Sequence, residues 1–512
     1  MPTHSSLLGT GPYLLATLFA VQIPPPDNGP AKSPELRVRR DEILSGEQAK
    51  LKELAGRLRS EGKVAEAEKV SARLAEAPAT DGSTRFVLLA EVVEKKPKGI
   101  DPPGCEAIRL EAAKALFDLA VQASKPPESF ALADQCLRGV IERQPDHAEA
   151  RRLLGFVPHA GGWATPFAAD RLAEGSVYDP TYGWVKGDWI PHLRRGELPS
   201  RVPNRWLPAG EANALRRDWA RKWEISTEHF RIFTNVPLNQ AISFGRKLED
   251  LHQLFFALLA DVIDPELLPL AQQFKKPGLE ATAPNPENSH PIFYFATRGE
   301  YARFLAPYQG KGSKTSLGTY APRKESTQFG GVSYFFNDVG GALDIESTLY
   351  HEASHQLLFE SAGPDDVSPS SSQYWVFEGL GTYFETLKHE PDGSLRIGGL
   401  TGPRIALARR RLIELNEFIP IERLISFNRP QFQGSAGGGD VFLNYAESMA
   451  LALFLMQADG GRYRQGFLEY VRDVYKGRYK AGSGRGLEAE VGTSYPELNR
   501  AFLKYLGQAA KR

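Results

Sequence analysis

The chain has 512 residues, a length that predicts about three domains, or one large domain with extensions, and excludes a single small module. Hydrophobic residues make up 42% and charged residues 24%, enough apolar content for ordinary cores and far from a disordered composition. Basic and acidic side chains balance at 62 each, so no global charge draws the protein to nucleic acid or an anionic bilayer. With only two cysteines, Cys105 and Cys136, neither a disulfide framework nor a cysteine-based zinc site can be built, and any metal site must use His and carboxylates. Two buried free thiols are the expectation, ahead of a disulfide.

Tyr13 to Val21 is an apolar run of signal-peptide length, too short for a stable span. Residues 1–22 therefore read as a signal peptide and the protein as exported, periplasmic or extracellular, although no Lys or Arg precedes the run. Residues 23–40, with Pro24-Pro25-Pro26, Asn28-Gly29-Pro30 and Ser33-Pro34, read as an extended linker, so folding is expected to start near Asp41. No later segment holds about 18 uninterrupted apolar residues, which predicts no stable membrane span.

Residues 41–160 carry helical periodicity. Leu44, Leu51, Leu54 and Leu58, then Val64, Ala67, Val70 and Leu74, form a helical hairpin broken at Glu61-Gly62-Lys63. A second block runs from Glu106 to Leu154, with breaks at Lys125-Pro126-Pro127 and Pro145-Asp146. The pattern is tetratricopeptide-like, with fragments of that period, and suits scaffolding or docking of a protein partner. Residues 161–222 are rich in Trp and Gly and read as short aromatic hairpins with a turn at Lys186-Gly187-Asp188, their tryptophans packing rather than binding ligand. From residue 223 to 512 strand patterns at 229–235, 291–296 and 331–336 alternate with helical ones at 238–262 and 300–305, and helices dominate from Ile345. The fold class is α+β, sheet-rich first and helical later.

The chemistry lies at that junction. His351-Glu352-Ala353-Ser354-His355 is an H-E-x-x-H motif within a stretch whose Leu349, Ala353 and Leu357 keep helical spacing. Four helical residues turn the chain about 400°, so the two imidazoles share one face and can meet the ~2.0 to 2.1 Å bonds zinc requires, with Glu352 offset beside them. A catalytic zinc needs a third protein ligand. Tyr374-Trp375-Val376-Phe377-Glu378-Gly379-Leu380 supplies one candidate on a second helix, with Ser370-Ser371-Ser372 as caps. Glu378 is a carboxylate among large apolar residues, costly unless a cation pairs with it. Gly379 and Gly381 are poor helix formers, which suggests close packing of this helix on the histidine helix.

H-E-x-x-H followed by W-x-x-E-G-L resembles the gluzincin zinc metallopeptidases, relatives of thermolysin and the aminopeptidase-N-like enzymes. From about Trp223 onward the chain looks most like a bacterial family of uncharacterised, often exported proteins with that zincin-like fold. The resemblance implies one Zn2+ held by His351, His355 and Glu378, Glu352 as general base, and a peptide or protein substrate lying along Gly330 to Phe336 as an edge strand. It also implies a downstream oxyanion donor, for which Tyr445 in Asn444-Tyr445-Ala446-Glu447-Ser448 is the candidate and Tyr383 the fallback. The thermolysin branch has an Asp four residues past the third ligand to orient a histidine; here that position is Thr382, with Glu385 or Asp344 as substitutes.

That departure and the long amino-terminal half motivate a second expectation, a non-catalytic exported scaffold that works through its helical repeats. Gly310 to Lys314 and Gly482 to Gly486 lack phosphate-loop spacing. His147, His159, His192, His229, His252, His290 and His389 stand singly in the sequence and read as surface or satisfied histidines.

Overall fold

A computed structural model describes residues 33–74, 81–94, 101–102, 104–125, 129–202, 204–307, 318–321, 331–337, 345–362, 373–435, 437–479 and 486–509. The signal-peptide reading, Gly310 to Lys314, the Ser370–Ser372 caps and Asp344 lie outside them. The architecture is α+β.

Helix α1 spans Ser33–Ser60, so the expected linker is helical from Ser33 onward. Pro34 sits in the first turn, where a missing N–H costs nothing, and Glu35 favours the same helix end. Ser33-Pro34 therefore starts a helix rather than preventing one. Leu36 is buried in the main core, and Arg37 approaches Asp261 at 3.8 Å. Helices α2 (Val64–Ser71), α3 (Cys105–Ala123), α4 (Phe130–Arg143) and α5 (Ala148–Leu153) follow. Cys105 and Cys136 are buried, unbonded and in separate apolar clusters.

The region read as helical, 41–160, also contains short strands, among them two before the second helical block. Thr84–Phe86 pairs antiparallel with Leu395–Ile397, and Val92–Val93 with Trp163 and Ala164. One apolar cluster runs from Leu36 through Val185 to Leu506, so the boundaries read at 160 and 222 separate composition, not cores.

Three aromatic hairpins form between residues 157 and 208. The turn expected at Lys186-Gly187-Asp188 is instead the start of a 3-10 helix, Gly187–Trp189. The preceding hairpin turns at Pro180-Thr181-Tyr182, where the Asp179 carboxylate accepts from the amides of Thr181 and Tyr182 at 2.8 and 2.9 Å. The tryptophans contact the protein: Trp206 stacks on His192 at 3.9 Å and meets Trp189 edge-on at 5.5 Å.

The main sheet comprises β1 (Trp223–Ser226), β2 (Phe230–Thr234), β3 (His290–Phe295), β4 (Gly318–Ala321) and β5 (Val332–Phe336), in the order β4-β5-β3-β2-β1. β2, β3 and β5 run parallel, and each outer strand is antiparallel to its neighbour. Every residue of β5 is buried, the two-sided burial of a central strand. Strand β5 is thus not the edge; β4 covers it. Residues 318–321, Gly-Thr-Tyr-Ala, form only a short strand without the apolar run that marks β5, which is why sequence pattern passes over them.

Helix α6 (Leu238–Leu258) packs on β2 through one apolar face. Helices α7 (Ile345–Ala362), α8 (Tyr374–Phe384) and α9 (Val441–Gly461) carry the candidate site. Helix α9 is long and apolar enough to cross a membrane, but 78% of its most apolar window is buried against the rest of the protein, as in a core helix.

Candidate metal centre

Helices α7 and α8 face each other, and between them His351, His355 and Glu378 bring one ligand atom each to within 4.8 Å of the others. His351 Nε2 lies 3.2 Å from Glu378 Oε2 and 3.1 Å from His355 Nε2; His355 Nε2 lies 3.9 Å from the same carboxylate oxygen. Donors bonded tetrahedrally to zinc at 2.0 to 2.2 Å stand roughly 3.3 Å apart, so this donor set fits such an ion with small side-chain adjustments. Glu378 is 6% exposed; a solvent-facing position for it is excluded.

The approach of the two helices depends on Gly381, where a Cβ would lie 2.8 Å from His351 Cε1. Gly379 differs from the sequence expectation: its missing Cβ faces the Ser448 carbonyl of α9, at 3.1 Å, and not the histidine helix. The glycine pair therefore lets α8 close on both neighbours. Gln373, just before α8, has a left-handed φ of 78°.

Behind His351 stands Glu385. Its Oε1 is 2.9 Å from His351 Nδ1, and Arg404 holds its other oxygen at 2.7 Å. This contact occupies Nδ1 and leaves Nε2 directed at the ligand cluster, the usual way a carboxylate fixes a metal-binding imidazole. Thr382 instead donates to the carbonyls of Glu378 and Gly379 within its own helix.

The electrostatics favour a cation. Burial works against ionisation of Glu378, yet the His351 hydrogen bond and the charges of both imidazoles hold its carboxyl below the ordinary range. Burial likewise opposes a charged His351, but its bonds to Glu378 and Glu385 win and raise its pKa. His355 is lowered, by burial first and then by His351. Burial pushes Glu352 up to about 7, although its Oε2 accepts from the Tyr320 amide of β4 at 2.9 Å. Gly318 on that strand leaves room for Glu352, whose Cγ would stand 3.0 Å from a Cβ there.

Tyr445 lies on the second turn of α9, where burial and the nearby Glu378 charge raise its pKa well above the usual phenol value. Its ring packs on Phe432 and beneath Arg404. Sequence reasoning missed Tyr374, whose hydroxyl donates to Glu378 Oε1 at 2.5 Å. The signal was available: Tyr374 precedes Glu378 by one helical turn, the spacing that puts two side chains together. Tyr383 faces Arg464 and Gln457 and is not part of the cluster.

The remaining histidines divide. His147 caps α5, His192 pairs with Glu197 at 2.7 Å, and His389 pairs with Asp250 at 2.8 Å, as satisfied histidines do. His229, His252 and His290 do not stand singly: the rings of His229 and His252 stack at 3.6 Å, and His290 lies 6.1 Å from His252. Parallel pairing of β2 with β3 sets Phe230 opposite His290 and so brings distant segments to one sheet end.

No family model matches the chain, and no curated protein matches it.

Proposed function

We propose that the protein is a zinc-dependent peptidase with a gluzincin-like, zincin-fold catalytic region. The observation that carries this reading is the convergence of His351, His355 and Glu378, with Glu385 behind His351 and Glu352 beside the cluster against β4, the outer strand of the sheet. His351, His355 and Glu378 would hold the ion. When bound, zinc supplies Lewis acidity, polarising a carbonyl and bringing the pKa of water toward ~7.

The chain's own residues do the rest. A peptide added to the outer edge of β4 would run past Glu352, the residue that β4 already contacts through the Tyr320 amide. Glu352 takes a proton from the attacking water and returns it to the leaving amine; burial that holds it near neutrality suits both transfers. Tyr445 stays protonated because its pKa is raised, and it donates to the developing oxyanion of the substrate. Tyr374 fixes the Glu378 carboxylate. The scaffold reading drew much of its force from Thr382 in place of an orienting Asp, and Glu385 supplies a carboxylate to His351 from one turn further along.

Profiling of the zinc-loaded full chain against a broad peptide library tests the proposal. Cleavage is expected, lost on chelation and lost in Glu352→Gln at unchanged zinc content. Silence across the library, or undiminished turnover in Glu352→Gln, overturns it.

A further inference from the structure

Far from α7 and α8 in sequence, a second group meets the same criterion. One ligand atom each from His229, Glu249 and His252 lies within 4.8 Å of the other two. Glu249 and His252 are three residues apart on α6, a Glu-x-x-His spacing that places carboxylate and imidazole on one helix face, as in metal sites built on bundle helices. His229 comes from the turn between β1 and β2.

We propose that His229, Glu249 and His252 form a second divalent-cation site, structural rather than catalytic, that clamps the β1–β2 turn to α6. Glu249 already spans this junction: one oxygen accepts from the His229 amide at 2.8 Å and the other lies 2.7 Å from His229 Nδ1. His252 is half-buried between rings, with His229 stacked at 3.6 Å and Phe256 at 4.4 Å, and its nitrogens make no hydrogen bond to any described residue. Its nitrogens are therefore not committed to a protein partner and are available to a cation. Glu228 and Glu91 also act electrostatically on His229. Two imidazoles and a carboxylate suit zinc and neighbouring first-row ions better than magnesium or calcium. The His229 and His252 rings lie within 17° of parallel, so seating an ion between their nitrogens turns one ring out of the stack.

This inference does not depend on the peptidase reading, and its test removes the first cluster. The metal-stripped full chain carrying His351→Ala and His355→Ala is titrated with Zn2+ alone, by calorimetry and by equilibrium dialysis. One bound equivalent is expected, with a rise in melting temperature on addition of zinc. Adding His252→Ala should weaken that equivalent by at least about 100-fold, and Glu249→Gln, which keeps the side-chain shape, should do the same. No zinc binding by the His351→Ala/His355→Ala protein, or binding that survives both further substitutions, overturns the second site. A missing first site would appear separately, as wild-type stoichiometry equal to that of the double variant.

Discussion

Glu378 on α8 and Glu447 on α9 are buried glutamates on apolar helices that pack against one another, 6% and 0% exposed. Their surroundings set them apart. Around Glu378 stand two imidazoles and the Tyr374 hydroxyl, and its carboxyl is held low despite burial. Neither Glu447 carboxyl oxygen has a hydrogen-bond partner among the described residues, and burial drives its pKa well above the ordinary carboxylate value. A carboxylate amid apolar residues therefore does not by itself announce a metal ligand; the same sequence argument fits both glutamates. What separates them is whether cationic or donating groups converge from other elements.

Substituting each glutamate by Gln turns that difference into opposite outcomes. Glu378→Gln should weaken zinc binding by at least about 100-fold and remove hydrolysis with it, since a ligand costs more than the 10–100-fold typical of an outer partner; competition titration with a chelating dye reads this. Glu385→Gln should cost about 10–100-fold in zinc affinity through the orientation of His351. An affinity equal to wild type would remove Glu385 from the account. Gly381→Ala drives a methyl group into the His351 ring and should destabilise the fold by about 1–3 kcal/mol, measured by denaturant unfolding.

Glu447→Gln has the smallest expected effect and the reverse sign. A carboxyl whose folded pKa is raised contributes its stability below the unfolded value and loses it as pH rises toward the folded pKa. Wild type should thus lose stability from about pH 5 upward, and the melting-temperature advantage of Glu447→Gln should grow between about pH 5 and pH 8. A constant difference across that range would show that Glu447 does not change protonation on unfolding.

The helix pair was legible because its information is local. H-E-x-x-H fixes two side chains by helical geometry alone, and Glu378 stands out against Trp375 and Phe377 on a neighbouring helix. Glu385 was readable as a substitute for the absent Asp, since a further helical turn keeps it on the same side. The edge of the sheet was not: β4 is four residues of weak strand pattern, whereas the fully apolar β5 attracts the reading meant for an edge. The start of α1 was misread because Ser33-Pro34 is equally a linker element and a helix start, and only the burial of Leu36 decides between them. The cluster at His229 depends on how α6 packs back on β2, which brings Glu249 and His252 beside a turn some twenty residues earlier, and no local periodicity contains that contact.

The most direct measurement is an anomalous-difference map, at the zinc edge, from crystals of the zinc-soaked protein. The account predicts a peak between α7 and α8 within bonding distance of His351 Nε2, His355 Nε2 and Glu378 Oε2. No peak there, with His351 still hydrogen-bonded to Glu378, would contradict it.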